Sequence, residues 1–130
     1  MRHRKKGKIL GRKKAQRVAL FRTQAKSFFQ HGKITTTEAK AKQLKSFLEK
    51  LITTGKKDNL ASLRRLISSL NSTVIAKKII KEVSPKYIDR KGGYLRVIKL
   101  NRRKGDGAKV AKIEYVESDQ KNDEKTDNKV

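Results

Sequence analysis

The chain has no cysteine, no tryptophan and a single proline, and its only aromatics are four phenylalanines and three tyrosines. Without cysteine there is neither a disulfide nor a thiolate metal site, which fits a reducing intracellular compartment. The scarcity of aromatics argues against a helix lying in a membrane surface, since such a helix needs an apolar face rich in Trp or Phe. No apolar run approaches the roughly 20 residues of a membrane span, and none follows the amino terminus as a signal peptide would require. Acidic residues are also few, 12 Asp and Glu against 36 Lys and Arg, leaving a formal charge of +24 on 130 residues. That length suits one domain with one modest core.

An excess of this size repels itself unless a polyanion neutralises it, and nucleic acid is the leading partner. The charge is unevenly spread. The opening stretch MRHRKKGKILGRKK contains eight basic residues and no acid, and the first carboxylate in the chain is Glu38. At the other end, ESDQKNDEKTDNKV (117–130) carries five acids and three lysines with one apolar residue, Val130. That segment cannot bury enough surface to offset the entropy of ordering, so 118–130 is expected to be a disordered charged tail.

Between the ends the apolar residues recur at helical spacing. Val18, Phe21, Ala25 and Phe28, widened by Leu20 and Phe29, predict a helix over 15–31, with Gly32 suited to its C-terminus. Thr35 and Glu38 have the spacing of a capping box, after which Ala41, Leu44, Leu48, Leu51 and Ile52 predict a second helix up to Gly55. Lys33–Thr35 could form a brief strand before it. A third helix is expected from Leu60, Leu63, Ile67 and Leu70, capped near Asp58 or Asn59. A fourth follows from Val74, Ile75, Ile79, Ile80 and Val83 and should end at Pro85. Beyond Gly92-Gly93 the texture becomes β-rich in YLRVIKL and VAKIEYV, with Ala111, Ile113 and Tyr115 on one face, and an antiparallel hairpin is expected. Its connection, NRRKGDGAK, is long and basic for a turn that only reverses the chain. The fold class expected is α+β: about four helices packed with a small, mostly antiparallel sheet, as one domain over 15–117 preceded by a flexible basic arm over 1–14.

Catalytic chemistry has little to work with. The only histidines are His3, inside the polycationic run, and His31, at a predicted helix end, and nothing local places a nucleophile or a carboxylate beside either. Scattered carboxylates and two distant histidines lack metal-ligand spacing. The glycines at 92–93 and around Asp106 do not match a phosphate-binding loop, which needs Lys and Ser or Thr at a helix start, and read as turns. The expectation is a protein that is not an enzyme and carries no cofactor and no metal.

The cations, by contrast, occur on every element. The arm holds Arg2, His3, Arg4, Lys5, Lys6, Lys8, Arg12, Lys13 and Lys14. Arg17 and Arg22 lie on the first helix, Lys40 and Lys42 on the second, and Arg64-Arg65 on the third. Arg90, Lys91, Arg96 and the run Arg102-Arg103-Lys104 follow. A sequence-reading DNA protein more often confines its charge to one recognition element, and a single-strand binder adds an aromatic platform. Neither is visible, so folded RNA read by shape and backbone fits better than DNA, an architectural DNA-binding role being the rival reading. A flexible, glycine-bearing arm can enter between RNA segments and order on contact.

Specific residues sharpen this. MRHRKKGKILGR at the start, Gln16-Arg17 and Arg22, GKITTTEAKAKQLKSFLEKLIT, DRKGGYLRVIKL and RRKGDGAKVAKIEYVE resemble, in order and with compatible spacing over 1–117, the bacterial large-subunit ribosomal protein seventeen family. The resemblance implies a structural constituent of the large ribosomal subunit, in the cytoplasm, that binds large-subunit ribosomal RNA near the peptide-tunnel exit beside other ribosomal proteins. By position it assigns the arm residues, Arg17, Arg22, the turn from Arg90 to Tyr94 and the loop from Arg102 to Asp106 to RNA contact. Two departures stand out: Gln16 occupies a place where the family commonly has His, and the chain runs on past the last strand.

Overall fold

The computed structural model describes residues 3, 4 and 6–117, so Arg2, Lys5 and the tail expected over 118–130 lie outside the described residues. In chain order the elements are α1 (Lys14–His31), β1 (Lys33–Thr37), α2 (Glu38–Gly55), α3 (Leu60–Leu70), α4 (Thr73–Lys78), β2 (Leu95–Lys99) and β3 (Val110–Tyr115). The α+β class is as expected.

α1 starts at an unusual N-cap. Lys13 donates its backbone N–H to Gln16 Oε1 at 3.3 Å, but a lysine has no acceptor with which to return the bond, so only half of a capping box forms. Gln16, the position where the resemblance expects His, thus closes the helix start. The other end stops as expected: Gly32 adopts φ 79° and donates to Phe28 O at 2.7 Å. Ala25, Phe28 and Phe29 are buried, whereas Val18, expected in the same stripe, is 40% exposed because the core begins a turn later, at Phe21.

The capping box expected between Thr35 and Glu38 is absent. Thr35 lies within β1, which runs to Thr37 and leads straight into α2, and the N–H of Glu38 is satisfied at 3.0 Å by Lys109 O, just before the paired strand β3. The apolar face of α2 is the one read from sequence, with Ala41, Leu44, Leu48 and Ile52 fully buried and Leu51 nearly so. α2 ends at Gly55 as expected, and Gly55 is also a packing residue. A Cβ there would collide with Ser84 Oγ and come within 2.8 Å of Ile79 Cγ2.

In α3 the buried centre is Leu66 and Leu70 with Ser62, flanked by Leu63 and Ile67, while Leu60 is 60% exposed. The expected stripe was therefore rotated: α3 packs on α1, α2 and α4 at once, so its apolar face is broad and Leu60 projects beyond it. Asn59 caps it, accepting from Ser62 N at 2.8 Å.

The single fourth helix expected is instead three short pieces: α4, a π-turn over Ile79–Val83 and a 3-10 turn over Ser84–Tyr87. Pro85 does not end the helical path, because it falls at the start of the 3-10 turn, where its missing N–H is not needed. Ile75, Ile79, Ile80 and Val83 are buried as expected, but Val74 is 77% exposed.

The sheet has the order β1-β3-β2, antiparallel throughout, so the expected hairpin forms and β1 adds to its other edge. Ile34, Ile113 and Val97 stand in one cross-strand row facing the helices. Ala111 and Ile113 are fully buried, and the ring of Tyr115 packs 4.8 Å from that of Phe28. α2 is the central element: it packs against α1 and α3 and against all three strands.

Candidate nucleic-acid interface

Strand alternation sends one set of sheet residues outward. On that outer face Lys33, Glu114 and Arg96 form one row, with Lys112 in the next. Glu114 is the only acid among them and is gripped from both sides, by Arg96 Nη2 at 2.6 Å and Lys112 Nζ at 3.1 Å. Hydrogen bonds from Lys112 and then Arg96 hold its carboxyl below the usual range.

Further along the sheet, three segments remote in sequence meet at the first turn of α2. Lys42 Nζ lies 2.9 Å and Lys99 Nζ 3.7 Å from Glu38 Oε1. Lys8 of the arm, Lys42 and Lys109 line the same shallow cleft beside Glu38. The Glu38 carboxyl is held below its ordinary value chiefly by the hydrogen bond from Lys42, with Lys42, Lys99 and Lys109 adding their charge. A carboxylate also sits well at a helix N-terminus. The arm, α2 and the hairpin therefore present one cationic surface.

The hairpin connection beside it is built rather than loose. Leu100 donates to Val110 O, Arg103 to Ala108 O and Gly107 to Arg103 O, at 2.9–3.0 Å. Arg103 binds Asp106 with two prongs, and Asp106 Oδ1 also accepts from Ala108 N at 3.2 Å. The Arg103 bond holds the Asp106 carboxyl down to about 2. Arg102 and Lys104 are exposed on this frame.

Other expected contact residues fall elsewhere. Within the start of α1, Arg12 donates to Leu10 O at 2.9 Å and Arg17 to Arg12 O at 2.7 Å, so both brace the junction of arm and helix. His3, Arg4, Lys6, Lys13 and Lys14 are exposed. Arg22 reaches across to α3, donating to Ser68 O and Ser69 O at 3.1 Å each, and closes the carbonyl end of that helix. Lys40 is half-buried on α2. Arg90 and Lys91 lie at the opposite end of β2 from Arg102, and the carbonyl of Arg90 accepts from Lys56.

Tyr94 is not a surface residue: it is 1% exposed, its ring packs 5.4 Å from Tyr87 and its hydroxyl bonds with Thr53 Oγ1 at 3.2 Å. Lys56 Nζ sits 4.5 Å over the Tyr94 ring, a cation–π contact that ties α2 to the turn before β2. Its place in the GGY motif is that of a core anchor, which corrects its expected RNA contact. Sequence reasoning in turn passed over Lys33, Lys99, Lys109 and Lys112. The signal was present as polar residues alternating with apolar ones in both hairpin strands, but the pairing of β1 with β3 is what gathers them.

His31 is exposed at the rim of a cleft of about 670 Å³ that Glu82, Tyr87 and Tyr115 also line. Desolvation raises the pKa of both tyrosines, and Tyr87 donates to Val116 O at 2.7 Å. Among the described residues no group of His, Asp and Glu is placed to hold a metal ion.

Fold and surface define a class: small, strongly cationic α+β proteins whose charges gather around the start of α2 and an ordered hairpin. The chain belongs to the ribosomal protein L17 family, whose profile matches residues 20–116. It is 47% identical to the large ribosomal subunit protein bL17 of Thermus thermophilus over 118 residues, covering 90% of this chain and all of that protein. It is 50% identical to the bL17 of Sulfurihydrogenibium sp., covering 90% of this chain and 98% of that protein. The Geobacter metallireducens protein of the same name is 45% identical over 117 residues, which cover 90% of this chain but only 66% of that protein, so members differ in length. The protein is thus a bacterial large-subunit ribosomal protein, a ribonucleoprotein component serving translation in the cytoplasm. Among the described residues no helix is long and apolar enough to cross a membrane.

Proposed function

We propose that this chain is a structural, non-enzymatic constituent of the large subunit that binds large-subunit ribosomal RNA through its arm over 1–14 and the cationic surface of its 15–117 domain. The observation that carries this is the meeting of Lys8, Lys42, Lys99 and Lys109 around Glu38. Residues from three separate segments supply one positive surface, and the hairpin adds Arg102 and Lys104 beside it. Phosphates brought there release counterions, which favours binding, while the helical core holds the charges at fixed spacing. Placement near the peptide-tunnel exit, beside other ribosomal proteins, rests on the family resemblance.

Binding of the full chain to a folded large-subunit RNA fragment and to duplex DNA at matched salt tests this reading. Tighter binding to the RNA supports it. Equal or tighter binding to DNA gives the architectural DNA reading instead.

A further inference from the structure

The chain leaves β3 at a fixed point. Val116 donates its N–H to Tyr94 O at 2.9 Å, and its carbonyl accepts from the Tyr87 hydroxyl at 2.7 Å, so the exit from the strand is held on both sides. Val116 and Glu117 then form part of the wall of the cleft of about 670 Å³ between the end of α1 and the π- and 3-10 turns. Segment 117–130 is therefore rooted in that cleft. The hairpin loop and the cluster of Lys8, Lys42 and Lys109 lie at the opposite end of β3.

Charge is complementary at the root. The cleft is lined by Lys78, Lys86 and His31, with Glu82 the acid on the facing wall, and the stretch over 74–91 that supplies this wall has six Lys or Arg against two acids. Arg90 belongs to it and acts by its charge on the Tyr87 hydroxyl that holds Val116. Among the described residues every ion pair involves Glu38, Asp106 or Glu114, so none of these cations takes part in one. Segment 117–130 has the reverse balance: Glu117, Asp119, Asp123, Glu124 and Asp127 against three lysines. At roughly 3.3 Å per extended residue, Asp119 reaches about 10 Å from Val116 and Asp127 about 36 Å. Tethered groups at such range act at about millimolar effective concentration. An ionic contact also needs none of the apolar surface that the segment lacks.

From these observations we infer that segment 117–130 lies back across the cleft in which it is rooted, its carboxylates paired with Lys78 and Lys86, as a built-in competitor that an outside polyanion must displace. The contact is a property of the protein by itself and stands apart from the RNA-binding reading above. Its consequence is selective: the lysines of this wall are screened against casual polyanions, whereas the Lys8, Lys42 and Lys109 surface, at the other end of β3, stays open. Displacing the segment also cancels part of the counterion release that those lysines would otherwise contribute. A second copy of the chain is the competing occupant.

The test uses the full chain without nucleic acid, as an equal mixture of isotopically light and heavy copies, treated with a carbodiimide that couples carboxylates directly to lysine amines and mapped by mass spectrometry. Links from Asp119, Asp123, Glu124 or Asp127 to Lys78 or Lys86 within one copy are expected, and should fall at least about fivefold in about 1 M salt, where the screening length is about 3 Å. Links confined to the segment itself, links made preferentially to the arm, the hairpin lysines or Lys33, or links only between light and heavy copies overturn the inference. A second measurement reads the competition. The changes Asp119→Asn, Asp123→Asn, Glu124→Gln and Asp127→Asn together should raise affinity for a short duplex DNA at least about threefold more in the otherwise wild-type chain than in one carrying Lys78→Gln and Lys86→Gln, because the general gain in charge is common to both and only the freed lysines differ. Equal gains in the two backgrounds, with thermal melting showing both folded, also overturn it. The cross-links are read with no RNA present, so failure of the RNA-binding reading leaves this result standing.

Discussion

Arg103 and Asp106 face each other across the hairpin loop in a two-pronged ion pair, Nε to Oδ1 at 3.1 Å and Nη2 to Oδ2 at 2.5 Å. An acid in the middle of a basic loop lowers its charge, so its presence points to order as the gain. With Ala108 N also bound to Asp106, the loop is held in one shape from which Arg102 and Lys104 extend.

The Asp106 carboxyl should titrate near 2 in the folded protein, against an ordinary value of 3.8. A depressed folded value means that the contribution to stability is complete above the unfolded value and is lost as pH falls through the folded one. Side-chain carboxyl NMR shifts measured between pH 1 and 5 check this. Asp106→Asn raises the net charge, so bulk electrostatics alone predicts tighter RNA binding. The ordered-loop account predicts weaker binding together with faster amide exchange at 103–108.

Arg22 divides stability from recognition. Its guanidinium satisfies two carbonyls at the end of α3, so Arg22→Ala should cost about 1–2 kcal/mol of folding stability, read by urea denaturation. RNA affinity per folded molecule should stay near wild type. A large loss of affinity with unchanged stability would return Arg22 to the RNA surface.

Gly55 and Ser84 lock α2 to the junction of the π-turn and the 3-10 turn. Ser84 Oγ donates to Ile52 O at 3.0 Å, and there is no space at Gly55 for a methyl group. Gly55→Ala should destabilise by about 1–3 kcal/mol through overpacking. Ser84→Ala should cost about 1 kcal/mol. Thermal melts of the two variants set the order.

Leu66 and Leu60 separate the observed face of α3 from the one its spacing suggests. Leu66→Ala removes a side chain with no exposure and should cost about 2–5 kcal/mol. Leu60→Ala should stay within about 0.5 kcal/mol of wild type, as surface changes usually do. Chemical denaturation of both variants checks the assignment.

Most of the framework is legible where local signals and tertiary demands agree. α2 shows this best, since each residue of its apolar stripe is buried, and Gly32 ends α1 as its freedom at positive φ allows. Legibility fails where distant parts decide. β1 is five residues long because β3 offers a partner, and that pairing takes Thr35 out of the capping box that its spacing with Glu38 suggests. The π-turn answers to Gly55, remote in sequence, against which Ile79 and Ser84 pack. Tyr94 was assigned to RNA contact by the family resemblance, whereas the fold turns its ring onto Tyr87 and under Lys56. The cationic character of the interface was plain from composition. The gathering of Lys8, Lys42, Lys99 and Lys109 depends on topology that spacing does not reveal.

The most direct test of the central claim is retention on the large subunit during a high-salt wash, comparing the full chain with a variant in which Arg2, Arg4, Lys5, Lys6 and Lys8 are glutamine. The account predicts that the full chain stays with the large subunit at one copy per particle, and that the variant is released at lower salt, because each lost phosphate contact removes about one counterion from the binding equilibrium. Identical retention of the two chains, or migration of the full chain away from the large subunit, would contradict it.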